Sequence, residues 1–210
     1  KKIFKRRLPR EQIDTVFTLL LDLSGSMHGG KASLATQLAL VFSDVLEAMQ
    51  IPCEVLGFTT QGWDSYEAAG YNRTIPLRHI VFKKFNENMG FVRTRMSECL
   101  SSRMYHNIDG EAVQWAAQRI SHRKESKKIM LVLSDGYPEG GGWSSNLRNH
   151  LRTVVKDIEK MGIGCIGVGI MSSAVESFYK DYVTFGSMND LLGGFLDKLK
   201  GTLLNVTRRR

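Results

Sequence analysis

At 210 residues the chain has room for one domain with a substantial core, and two full domains would be a tight fit. Its hydrophobic fraction of 42% and charged fraction of 24% exclude a disordered or fibrous protein, and no apolar run reaches the ~18 residues that a membrane-spanning helix needs. The formal charge of +8 sits mostly at the ends: "KKIFKRRLPR" opens the chain with six basic residues and "TRRR" closes it with three more, which leaves 20 basic against 21 acidic residues in the body. Both ends read as solvated tails rather than phosphate-binding arms.

In chain order, strand-length apolar runs recur at 15–23 ("TVFTLLLDL"), 53–58, 78–85, 128–135 ("KIMLVLSD") and 164–170 ("GCIGVGI"), with a weaker one at 181–185. Several are nearly continuous in apolar residues, the pattern of a parallel sheet covered on both faces. Helices are predicted between them at 31–50, 109–122, 145–161 and 187–204, with another near 87–103. In the first helix Leu38, Val41, Phe42, Val45 and Met49 follow helical spacing and are predicted to form its core stripe. In the last, Ser187 is the predicted N-cap. Residues 59–77 follow neither period and read as an inserted surface loop. The expected organisation is a basic segment at 1–14, one domain at 15–206 and a basic tail at 207–210.

Alternation of strand and helix predicts an α/β fold with a doubly wound, mostly parallel central sheet and helices on both faces, whose ligands bind beyond the carboxyl ends of the strands. Cys53, Cys99 and Cys165 are widely separated, two of them in apolar runs, and read as reduced residues of a cytoplasmic protein. The opening Lys1, with no secretory pattern behind it, reads as the start of a fragment or processed product.

Two loops at strand ends carry the chemistry. "DLSGSMHGGK" follows the first strand with Asp22, Ser24 and Ser26 at every second position, and "SDGYPEGGGW" follows the fourth with Asp135. One carboxylate and two hydroxyls on a curled loop suit a hard divalent cation, which takes about six oxygens and keeps several waters. Asp135 could add an oxygen or hold a bound water. Oxygen chemistry barely separates Mg²⁺ from Mn²⁺, and Mg²⁺ is the default.

These residues resemble the von Willebrand factor A-type (vWA) domain and its metal-ion-dependent adhesion site: "DLSGS" matches the Asp-x-Ser-x-Ser signature, and "LVLSDGYP" is similar to the distal strand that ends in a metal-site Asp. The resemblance implies a further Thr ligand at the start of a helix. Here "YHNIDGEAVQWAAQ" departs from the family, with Asn107 nearest the Thr position and Asp109 either the helix N-cap or a residue facing the metal. "EVLGFTTQGW", "LRHIVFKKF", "NIDGEAVQWA", "SDGYPEG" and "LRTVVKDIEKMGIGCIGVGI" resemble, in order, the C-terminal A-type domain of the T subunits of aerobic cobaltochelatases.

The resemblance implies a non-catalytic interaction module. A partner's acidic side chain would complete the metal shell, the partners being an AAA+ ATPase and a large chelatase subunit, or another AAA+ ATPase with a different client. Met27, His28 and Trp143 flank the two loops and are the expected partner contacts. No Gly-x-x-x-x-Gly-Lys-Ser/Thr loop occurs, so ATP hydrolysis is not expected of this chain. A hydrolase using Asp22 or Ser24 as nucleophile would need a base and an orienter that no His spacing announces. A nucleic-acid binder working through the basic ends has no motif with interleaved aromatics behind it.

Overall fold

The computed structural model describes residues 14–62, 75–101, 104–140 and 144–187. The predicted helix at 187–204, apart from Ser187, and most of the 59–77 loop lie outside these, although the first residues of that loop continue a strand through Thr60. The elements are β1 (Thr15–Asp22), α1 (Gly30–Ala48), β2 (Cys53–Thr60), β3 (Leu77–Lys83), α2 (Met89–Ser101), α3 (Asp109–Ser121), β4 (Lys127–Ser134), α4 (Ser144–Lys160), β5 (Ile163–Ile170) and β6 (Asp181–Phe185).

The strands form one sheet in the order β3-β2-β1-β4-β5-β6. All neighbours pair parallel except β2 and β3, whose antiparallel pairing needs no crossover helix. Every residue of β1, β2 and β5 is buried, as their continuous apolar sequences require of strands covered on both faces.

Strand alternation sorts the core into two layers. On one face Phe17, Leu19 and Leu21 meet α1 and α2, with Phe17 edge-on to Phe42 at 5.5 Å. On the other, Val16, Leu20, Leu56 and Phe58 meet the small residues Ala112, Val113, Ala116 and Ala117 of α3 and the larger Leu151, Val154 and Ile158 of α4. The α1 stripe is rotated from the sequence expectation. Its buried line is Leu34, Leu38, Phe42 and Leu46, whereas Val41 and Met49 are 46% and 51% exposed. A strict four-residue step from Leu38 puts Val41 and Met49 on the outer edge.

The first crossover carries the chain from β1 to β2 on one side, and the later addition of β4 is on the other side of β1. The winding therefore reverses between β1 and β4. A crevice opens at their carboxyl ends, where the two motif loops emerge.

Candidate metal centre

Asp22 closes β1 and Asp135 immediately follows β4, so the sheet register delivers both carboxylates to the crevice. Asp22 is fully buried, on the side of the sheet that faces α3. Its Oδ1 accepts the Ser24 N–H at 2.8 Å, turning the loop back on itself, and its Oδ2 accepts the Ser134 hydroxyl at 2.9 Å. That turn sets Ser24 Oγ 3.1 Å from Ser26 Oγ, and the Ser26 hydroxyl donates to Asp135 Oδ1 at 2.7 Å. The other Asp135 oxygen receives the ammonium of Lys31, from the first turn of α1. Gly29, at φ +82°, reverses the chain just before that helix in a region where a side chain would be strained.

The loop before α3 is laced between the other two. Gly25 N–H bonds to the Tyr105 carbonyl at 2.7 Å, and Tyr105 and His106 N–H donate to the Thr59 and Thr60 hydroxyls at 3.0 and 3.1 Å. Asn107 and Glu139 exchange backbone bonds at 3.0 and 3.2 Å. The Asn107 side chain reinforces that clamp from both ends: Nδ2 donates to the Tyr137 carbonyl at 3.1 Å and Oδ1 accepts the Glu139 N–H at 3.2 Å.

Asp109 is the first residue of α3 rather than its cap. Ile108 holds the N-cap position. The Asp109 carboxylate is 2% exposed, and its Oδ2 has no hydrogen-bond partner. An orphaned carboxylate oxygen in a closed site is costly unless a cation or water satisfies it. Burial pushes the Asp109 carboxyl well above its ordinary range, and the charges of Asp22 and Asp135 push it further. Asp22 is raised to about 6, chiefly by burial and also by Asp135, against the opposing hydrogen bonds from Ser24 and Ser134. Mutually repelling carboxylates beside two hydroxyls make a donor set that fits a hard divalent cation. Among the described residues no three His, Cys, Asp or Glu side chains are grouped to hold a metal by themselves. Any ion here therefore depends on the serine hydroxyls.

The structure thus brings together Asp22, Ser24, Ser26, Asp109 and Asp135, and engages Asn107 in the clamp beside them. Of the expected partner contacts, His28 is exposed at the rim. Met27 is corrected: it is fully buried in the core with Leu21, Leu23 and Ala32, because the short helical turn at 25–27 points it inward under the loop. Trp143 lies outside the described residues. Sequence reasoning missed Ser134 and Lys31. Their positions, just before Asp135 and just after the Gly-Gly pair, were the available signal.

The model of the cobalamin biosynthesis protein CobT VWA domain matches residues 3–205. The chain belongs to the CobT VWA-domain family. This CobT-type domain is 27% identical over 176 residues to the uncharacterized protein YojO of Bacillus subtilis, covering 82% of the chain and 26% of YojO, so it spans about a quarter of that relative. Among solved structures, the PilB minor pilin of Streptococcus sanguinis matches with a TM-score of 0.68 at 12% identity, over 93% of this chain and 63% of that one. Proximal thread matrix protein 1 of the mussel byssus, solved with a zinc-occupied MIDAS motif, matches with a TM-score of 0.58 at 16% identity, over 91% and 46% of the two chains. BatB of Bacteroides thetaiotaomicron matches with a TM-score of 0.57 at 14% identity, over 90% and 98%. At these identities the structures establish the shared vWA fold, whose six-stranded, mostly parallel sheet is the one described above. None of the described helices is long and apolar enough to cross a membrane.

Proposed function

We propose that this CobT-type vWA domain is a metal-dependent docking module, itself non-catalytic, that couples an AAA+ ATPase to a cytoplasmic chelatase inserting cobalt into a corrin ring. The observation that carries the reading is the convergence of the Ser24 and Ser26 hydroxyls with Asp135, together with a buried, unpartnered Asp109 Oδ2 close enough to feel the Asp135 charge. Ser24 and Ser26 would hold Mg²⁺, with Mn²⁺ as a substitute. Asp109 is the third-loop oxygen donor in preference to Asn107, whose carboxamide is engaged at both ends, and Asp22 and Asp135 supply charge and orient the hydroxyls or bound waters.

A bound divalent ion supplies an incompletely neutralised positive centre on which an acidic side chain makes a strong, geometry-dependent contact. The chain's own residues define where that contact forms. Ser26 is exposed whereas Ser24 and Asp22 are buried, so the site opens to its surroundings on the Ser26 side, next to His28. The clamp of Asn107 on the 137–139 backbone holds the two outer loops at fixed spacing around that opening. Family membership supports the corrin setting, and the ATPase and the large chelatase subunit are the partners this reading names.

The test is capture of the ATPase by immobilised wild type and by the double variant S24A/S26A, each with Mg²⁺ and with EDTA. Retention by wild type with Mg²⁺ alone is expected. Equal retention by both forms, with or without metal, would contradict the reading.

A further inference from the structure

Lys31 is an odd residue for its place. It stands in the first turn of α1, a helix with no acidic residue there, where a positive charge opposes the helix dipole. Its ammonium lies against Asp135 Oδ2, whose side chain is 1% exposed, while Lys31 itself is 33% exposed. Asp135 is thereby shared between Ser26, on Oδ1, and Lys31, on Oδ2. A lysine reaching from a helix start onto Asp135 is an internal cation delivered to a carboxylate whose negative charge the proposed divalent ion needs.

We infer that Lys31 is an affinity-setting residue of the metal centre, a tethered cation that competes with the divalent ion for Asp135. The inference rests on the docking-module reading above. An ammonium in contact with a carboxylate neutralises one of the charges that attracts the ion, and it repels the ion across a few ångströms of partly buried space. Part of this is screened at a side chain one-third exposed, so the effect is moderate. Lys31 then holds the site at weaker affinity than its carboxylates alone would give. Removing the charge while keeping the stem's packing tightens metal binding, which is the opposite of what loss of a ligand or of a structural contact does.

The experiment is titration of the full chain with Mn²⁺ alone, read as free Mn²⁺ by electron paramagnetic resonance at low ionic strength, for wild type, K31M, K31Q, K31R and S24A/S26A. Binding about tenfold tighter in K31M and K31Q, wild-type affinity in K31R and weakened binding in S24A/S26A are expected. If S24A/S26A weakens binding while K31M and K31Q bind no tighter than wild type, the role of Lys31 is overturned and the site stands. If wild type binds no Mn²⁺, or S24A/S26A binds as wild type does, the site reading falls and takes this inference with it. Melting curves in EDTA confirm that each variant is folded at the titration temperature.

Discussion

Asp109 and Glu54 are both buried carboxylates on the α3 side of the sheet, and each keeps one oxygen without a hydrogen-bond partner, but only Glu54 has an arginine on the other. Glu54, at 0% exposure, receives Arg119 through Nε at 2.8 Å and through a second guanidinium N–H, yet burial still raises its pKa. Replacing Arg119 with Met should therefore destabilise the fold by about 3 kcal/mol near pH 8, and by less near pH 5 where Glu54 can take up a proton; urea melts at the two pH values measure this. Asp109 has no such partner on Oδ2. Its folded-state pKa is raised above the unfolded value, so the native state holds more protons than the unfolded chain in the acid range, and its ionisation lowers stability as pH rises. In EDTA, D109N should be more stable than wild type by about 1–3 kcal/mol at pH 8, with the gap closing as pH falls toward the unfolded-state pKa of about 4. With Mg²⁺ at pH 8 the order should shift the other way, since wild type gains more from the ion than D109N. Thermal melts across this grid decide it.

At the scale of elements, β5 shows how a strand gives up side chains to admit a neighbour. Ile166, Val168 and Ile170 fill one face, while on the other Gly167 lies under Tyr179, where an added Cβ would sit 2.5 Å from the ring carbon Cδ2. Gly167→Ala should cost about 1–3 kcal/mol by overpacking, read as a lower urea midpoint with an unchanged slope. The run "GIGCIGVGI" announced a buried strand through its apolar residues, but nothing local announced Tyr179, because the partner that needs the glycine lies twelve residues on. The same limit explains α1. Leu38 and Phe42 were legible as core from their spacing, whereas the outward turn of Val41 and Met49 depends on where the sheet lies beneath the helix. Met27 was misplaced for a related reason: a residue flanked by loop polar groups reads as surface until the turn at 25–27 is seen to point it inward.

For the whole molecule, the site was legible because its parts obey topology. Strand order places the ends of β1 and β4 side by side, so two motifs more than 100 residues apart in sequence had to meet if both runs were strands of one doubly wound sheet. The choice between Asn107 and Asp109 was not legible, since it turns on the clamp to Glu139 and on an unpaired oxygen, both products of the folded loops. The net charge of +8 belongs to the basic ends and not to this centre. Removing residues 1–10 and 207–210 should therefore leave Mg²⁺-dependent partner capture intact while reducing salt-sensitive retention on a polyanion column. The most direct test of the metal centre is a crystal of the chain soaked in Mn²⁺ and measured for anomalous scattering. One strong peak is expected within bonding distance of the Ser24 and Ser26 hydroxyls, facing Asp109 and Asp135. A peak elsewhere with this crevice empty would contradict the proposed centre.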